Sequence, residues 1–203
     1  MKVIVVASQK GGAGKTTISS HLGVELTQRG HTVVLIDTDR QGTLTKWWNR
    51  RQAEQPVLVA TQFDQLPEVL DAIRESGADF VIIDTPPQVS QPVREVVKFA
   101  DLVLVPSKPG PNDLDAINDT ITIVEEEGKP MMFVVNEAKL RTKLTADTLM
   151  ALSHHGKIAG ILNDLTVFAE SMIDGRTAGE FRPTCDAAVQ VRKLCDSTLK
   201  EVA

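Results

Sequence analysis

Apolar residues fall along this chain in two alternating kinds of stretch. Seven short runs, at 3–7, 32–36, 56–60, 79–84, 101–106, 131–136 and 157–162, are almost continuously apolar and rich in β-branched residues. A strand with one wet face alternates apolar with polar. An uninterrupted run predicts a strand covered on both faces, as in a parallel sheet. Between the runs, helical spacing appears at 15–29, 43–54, 64–76, 91–99, 112–127 and 145–153. The segments TVFAESMIDG and DAAVQVRKLCDSTLKEV predict two further helices. Gly30, Gly77 and Gly128 stand where helix C-terminal caps are expected. This alternation predicts an α/β fold, a doubly wound, mostly parallel sheet flanked by helices with right-handed crossovers. With no internal repeat, low-complexity segment or linker, residues 1–203 read as a single domain. Such sheets bind ligands beyond the carboxyl ends of their strands. The loops at 8–15, 37–43, 84–91, 106–112 and 136–144 are therefore the places to look for chemistry.

Composition narrows the picture modestly. The 203 residues suffice for one sizeable core, and 42% apolar with 24% charged residues is ordinary for a globular chain. No apolar run approaches the ~20 residues of a membrane span. The N-terminus enters a strand without a charged leader or cleavage site, so no signal peptide is expected and the chain reads as cytoplasmic. Cys185 and Cys195 lack metal-ligand spacing and read as free thiols in a reducing compartment. The net charge of −5 excludes a generally basic coat, although not a local basic face.

The first loop, SQKGGAGKTTISS, carries the strongest chemical signal. A phosphate-binding loop has the pattern G-x-x-x-x-G-K-[ST] before a helix. Gln9 takes the first glycine position, while Gly14, Lys15 and Thr16 keep the rest. Gly11, Gly12 and Gly14 let backbone N–H groups turn toward an anion, and the following helix adds its N-terminal dipole. Lys15 would reach β- and γ-phosphates, and Thr16 would offer its hydroxyl to Mg²⁺. The second strand ends in LIDTDRQG, bringing Asp37 and Asp39 to the same edge, and the fourth ends in FVIIDTPP, so Asp84 would bind Mg²⁺ through water. Thr85, Pro86 and Pro87 then read as a loop that senses the γ-phosphate. Asn136 in VVNEAK and the proline-rich VPSKPGPNDL would line a base pocket.

The form KGGAGKTT, with Lys10 added and the first glycine lost, resembles the deviant phosphate loop of the ParA/MinD family of ATPases. The resemblance implies a P-loop NTPase fold that binds ATP or ADP with Mg²⁺ through Lys10, Gly11, Gly12, Ala13, Gly14, Lys15, Thr16 and Thr17, with Asn136 at the adenine. It implies that Thr16, Asp37 and Asp84 hold the metal and that Asp39 aligns the attacking water. Lys10 and Lys15 would then complete the catalytic set. In the family the early lysine reaches the nucleotide of a partner subunit, so an ATP-bound homodimer is expected. LIDTDRQG departs from the family's D-x-D-P-Q in having Arg40 for proline. The late stretch MIDGRTAGEF also fits.

Within the family the chain is most similar to small plasmid-partition ATPases. That implies non-specific DNA as a partner, a centromere-binding or adaptor protein that stimulates hydrolysis, and a nucleoid-associated location. The tail KLCDSTLKEVA lacks the basic amphipathic character of a membrane-targeting helix, so no membrane partner is expected. A cargo-positioning switch acting through proteins without DNA stays open, as does a dethiobiotin-synthetase-like ligase, although Lys10 counts against the latter. Basic residues cluster at Lys46, Arg50 and Arg51, at Lys139, Arg141 and Lys143, at Arg176 and Arg182, and at Arg192, Lys193 and Lys200. Arg176 and the C-terminal group are the expected DNA contact. Trp47 and Trp48 are expected to pack rather than to stack on bases.

Overall fold

The computed structural model describes residues 1–87 and 91–203. Its centre is a seven-stranded sheet ordered β3-β2-β4-β1-β5-β6-β7, with every neighbouring pair parallel. The strands are β1 (Lys2–Val6), β2 (Val33–Asp37), β3 (Val57–Ala60), β4 (Phe80–Asp84), β5 (Leu102–Ser107), β6 (Met131–Ala138) and β7 (Lys157–Asn163). All seven coincide with the predicted runs to within a residue or two. Successive side chains of a strand enter opposite layers, so the inner runs feed two cores; β3 lies at the sheet edge with none of its residues fully buried and Val57 41% exposed, so its run is not covered on both faces as expected. Ile4, Val6, Leu35, Ile82, Leu104 and Val134 pack into one. Val3, Val5, Ile36, Ile83, Val103 and Val135 pack into the other.

Two helical layers close these cores. On the first face lie α1 (Lys15–Gln28), α2 (Thr43–Trp48), α7 (Thr166–Met172), α8 (Ala178–Phe181) and α9 (Asp186–Val202). On the second lie α3 (Leu66–Glu75), α4 (Gln91–Val97), α5 (Pro111–Glu126) and α6 (Lys143–Ser153). The three predicted cap glycines have positive φ, at +90° for Gly30, +81° for Gly77 and +62° for Gly128. That conformation is cheap only without a Cβ.

Three local readings need correction. The helix expected at 43–54 stops at Trp48, because the chain turns at residues 49–51 and carries Arg51 inward. The Arg51 side chain, 2% exposed, pairs with Glu180, donates to the carbonyl of Gly175 and lies 4.9 Å from the Trp47 ring centroid. Arg51 therefore leaves the list of surface basic residues. The strand carrying Asn136 does not end there but runs on to Ala138, across an irregularity where Glu137 adopts φ +51°. Finally, α8 was not anticipated; its capping box between Thr177 and Glu180 follows the T-x-x-E spacing. Trp47 and Trp48 do pack, their indole N–H groups donating to the carbonyls of Arg176 and Pro56.

Candidate functional site

The sheet register brings the predicted residues to one edge. Asp84 is level with Val6 on one side and with Asp37 on the other. The loop after β1 thus rises between the ends of β4 and β5, with both carboxylates beside it. Thr38 ties the strand ends together by donating its amide and hydroxyl to the carbonyl of Asp84, and the Thr85 hydroxyl donates to the carbonyl of Val6.

The loop itself, residues 8–14, wraps around one ammonium group. Lys15 Nζ donates to the carbonyls of Ser8 (3.0 Å) and Lys10 (3.3 Å). Burial depresses its pKa, opposed by the charges of Asp84 and Asp39. Both acids are thus close enough to act on the loop lysine. Gly11 lies beside Pro87, the Cβ that it lacks falling 3.8 Å from that ring. Of the expected γ-phosphate-sensing loop the structure describes residues 85–87; residues 88–90 lie outside the described residues. Ser8 Oγ and Gln9 Nε2 are buried without a hydrogen-bond partner among the described residues. Buried polar atoms in this state commonly mark a place where another group binds.

Asp84 is 2% exposed and receives hydrogen bonds from Thr16 Oγ1 (2.6 Å) and Ser19 Oγ (3.2 Å). Burial pushes its pKa up to about 7; the hydroxyl of Thr16 opposes this, and the neighbouring Asp37 adds to it. A buried carboxylate of this kind is stabilised by a cation. The donor set, a Thr hydroxyl and carboxylates, is of the hard oxygen type that suits Mg²⁺. Among the described residues no group of three or more His, Cys, Asp or Glu could hold an ion on its own. A magnesium ion here would complete its shell with water and substrate oxygens, its usual habit beside phosphates. Residues and ion fit.

Asp37 and Asp39 divide the work of the loop after β2. Asp37 accepts from the amide of Asp39 and from both the amide and hydroxyl of Thr45, so it orders the loop and the start of α2. Asp39 receives one amide bond, from Gln41, and stays half-exposed. Arg40, in place of the family proline, is exposed, and a Gly42-to-Asp39 hydrogen bond closes the turn around it.

Asn136 is buried at 6% exposure and donates from Nδ2 to the carbonyl of Ala13 (3.1 Å). It braces the phosphate loop from the side of β6. Lys108 and Glu137 form an ion pair of 2.7 Å beside it, joining the proline-rich loop to the irregular end of β6. Lys10 points elsewhere: its Nζ lies 2.7 Å from Asp113 Oδ2 in the first turn of α5. Asp113 lies in the proline-rich segment expected to line the base pocket; the structure sets its carboxylate against Lys10, a pairing that no local spacing signals.

A second omission lies behind the loop. His21, one helical turn beyond Thr17, is 1% exposed. Its Nδ1 donates to the carbonyl of Thr17 (2.8 Å), and its Nε2 accepts from the amide of Ala178 (3.0 Å). These partners require the neutral ring, and burial lowers the pKa to about 4. Through Ala178 the ring fastens α8, and with it the Glu180–Arg51 pair, to the phosphate-loop helix.

Of the candidate DNA contacts, Arg176 is bound to Asp174 and stacks on Phe181, and Arg182 stacks on the same ring. Arg192 donates to the carbonyl of Pro183. Lys46, Arg50, Lys193 and Lys200 are exposed, with no carboxylate within 4.0 Å among the described residues. No helix of the described residues is long and apolar enough to cross a membrane.

Comparison with known proteins agrees with this arrangement. The profile of the CobQ/CobB/MinD/ParA nucleotide binding domain matches residues 4–178. The chain is 35% identical over 152 residues to maintenance of carboxysome distribution protein A of Halothiobacillus neapolitanus, covering 70% of this chain and 69% of that protein. It is 28% identical over 180 residues to protein ParA of Rhizobium radiobacter, with 88% and 80% covered. The septum site-determining protein MinD of Pyrococcus horikoshii, solved with Mg-ADP, superposes with a TM-score of 0.82 at 17% identity, over 97% of this chain and 95% of that one. With the family profile spanning the loop, both carboxylate strands and Asn136, the chain belongs to the ParA/MinD family of nucleotide-binding ATPase domains.

Proposed function

We propose that the chain is a single-domain, nucleotide-gated positioning ATPase: with ATP it forms a homodimer that binds DNA without sequence preference, and slow hydrolysis releases it. One observation carries the reading. The loop has two lysines: Lys15 Nζ lies inside the loop, bonded to the carbonyls of Ser8 and Lys10, while Lys10 Nζ turns away to Asp113. Lys10 is then left for a role outside its own loop, namely contact with the triphosphate of a second subunit. The names of the two relatives, one for carboxysome distribution and one a ParA protein, support positioning as the outcome.

In this mechanism the residues act as follows. Backbone N–H groups of residues 11–16 and the start of α1 receive the phosphates, and Lys15 turns from the carbonyls of Ser8 and Lys10 to the β- and γ-oxygens. Thr16, with Asp84 and Asp37 through water, would hold Mg²⁺, which would supply neutralisation of the charge developing on the phosphates. Asp39, half-exposed beside Lys15, orients the attacking water. Lys10 of the partner subunit adds a cation to the transition state. Without a stimulating partner such sites turn over at roughly 10⁻⁴ to 10⁻² s⁻¹. A centromere-binding or adaptor protein would accelerate this step. The exposed lysines and Arg50 on the α2 and α9 side are the proposed DNA contact, in preference to Arg176, whose guanidinium is committed to Asp174.

The test combines oligomeric state with DNA retention. Lys15→Ala should lose nucleotide binding, whereas Asp39→Ala should keep ATP and remain dimeric. Random-sequence DNA should be retained only with ATP, with a log–log salt slope of about −0.9 per phosphate neutralised. Reversing Arg50, Lys193 and Lys200 to glutamate should abolish retention. ATP dimers that ignore DNA would instead favour a protein cargo, the reading that the carboxysome relative suggests. Normal hydrolysis by Asp39→Ala would refute the role given to that residue.

A further inference from the structure

The Lys10–Asp113 contact joins residues 103 positions apart in sequence, one from the phosphate loop and one from the third position of α5. Asp113 is no casual surface partner. Its side chain is 13% exposed, and while Oδ2 receives Lys10, Oδ1 is buried with no hydrogen-bond partner among the described residues. The Lys10 side chain is 37% exposed. Asp113 therefore depends on that ammonium more than the ammonium depends on Asp113. Lys10 is also held by its backbone, whose carbonyl accepts from Lys15 Nζ at 3.3 Å.

We infer that Asp113 is a positioning residue that parks Lys10 on its own chain and so sets the threshold for nucleotide-dependent pairing of two subunits. This rests on the reading of Lys10 given above. Two tethers hold the residue, and they release in order. When a triphosphate enters the chain's own loop, Lys15 Nζ turns to it and gives up the carbonyl of Lys10. The backbone around residue 10 is then loosened, but the ammonium still faces Asp113. The second tether breaks only when another subunit presents a triphosphate, whose several negative charges compete with one carboxylate. The exchange leaves Asp113 without its cation in a half-buried position, which is unfavourable and opposes pairing. No bond is made or broken; one ion pair replaces another. A chain without nucleotide keeps both tethers and stays single. ADP draws off Lys15 but brings no γ-phosphate to compete for Lys10.

The experiment measures the protein concentration at half-dimerisation by sedimentation, with a non-hydrolysable ATP analogue, and the affinity of the monomer for fluorescent ADP. Asp113→Asn should lower the dimerisation midpoint by roughly 3- to 20-fold, the range for releasing one or two partly exposed ion pairs in a symmetric dimer. ADP affinity should stay within about twofold, because Lys10 does not serve its own loop; a merely structural loss in α5 would instead weaken both. Lys10→Ala should abolish pairing, and Lys10→Ala with Asp113→Asn should behave as Lys10→Ala alone. Asp113→Ser, which removes the charge while keeping a helix-start residue, should repeat the shift and carries the test if the asparagine variant does not fold. An unchanged midpoint would overturn the inference. So would weaker pairing restored by Asp113→Glu, since the carboxylate would then be needed in the assembled dimer. If the unaltered chain stays monomeric with the analogue, the fault lies in the reading of Lys10 itself.

Discussion

Gly14→Ala is expected to lower stability by about 3 kcal/mol, or roughly 6–12 °C in melting temperature for a chain of this size, and to abolish nucleotide binding. Gly14 has φ +101°, where a side chain costs about 1–2 kcal/mol. A Cβ there would stand 2.1 Å from Asn136 Nδ2 and 2.8 Å from its Cγ. Asn136 cannot yield without releasing the carbonyl of Ala13, leaving a buried acceptor unpaired at about 1–3 kcal/mol. The check is a double-mutant cycle by thermal melting. Against an Asn136→Ala background the overlap with the amide disappears, so Gly14→Ala should retain only its backbone penalty. Equal losses in the two backgrounds would show that the contact with Asn136 does not constrain the loop.

Asp84→Asn is expected to stabilise the ligand-free protein at pH 8 while destroying hydrolysis. In the folded chain the Asp84 pKa is raised from 3.8 to about 7. Between those values the native state holds a proton that the unfolded chain releases. The group's stability is complete below about pH 4 and is lost as pH rises through 7; at 1.36 kcal/mol per unit the loss is about 4 kcal/mol. An amide carries no charge to bury. It can still accept from Thr16 and can donate to the Ser19 oxygen. The variant should therefore melt roughly 8–16 °C higher at pH 8. His21 has the opposite sign. Its pKa falls from 6.5 to about 4, so its stability is full above 6.5 and is lost as pH falls toward 4, by about 3 kcal/mol. In the native chain the two trends largely offset each other between pH 4 and 6.5. In Asp84→Asn the His21 trend should stand alone, stability declining with acid. A variant that melts no higher than the native chain at pH 8 would show that Asp84 is not held against its charge.

The same residues concentrate buried charge and unpaired polar atoms in one place. Lys15 is desolvated, Asp84 is buried beside Asp37, and Ser8 and Gln9 each keep a polar atom unpaired among the described residues. On the proposed reading, a nucleotide with its metal ion would bring partners to Lys15 and Asp84. Binding and stability would then be linked, and ATP should raise the melting temperature with the logarithm of its concentration once that exceeds Kd.

Much of this was legible in the amino-acid order because it depends on local periodicity and on short, contiguous motifs. Uninterrupted apolar runs declare strands covered on both faces, since any polar residue there would be buried without a partner. Cap glycines declare themselves because only they take positive φ without cost. The loop from Ser8 to Thr16 is contiguous, Asp37 and Asp84 each close an apolar run, and Asp39 stands two residues beyond the first of them. The tertiary structure alone decided what depends on distant partners. Arg51 turns inward to pair with Glu180, 129 residues away, where α2 ends at Trp48, and no local pattern announces that partner. Asn136 is set against Gly14 by sheet order, and His21 accepts from Ala178 because α8 docks on α1. Lys10 meets Asp113 rather than the loop it adjoins. Periodicity reports which face of an element is apolar; which charge answers which is set only when the elements have been brought together.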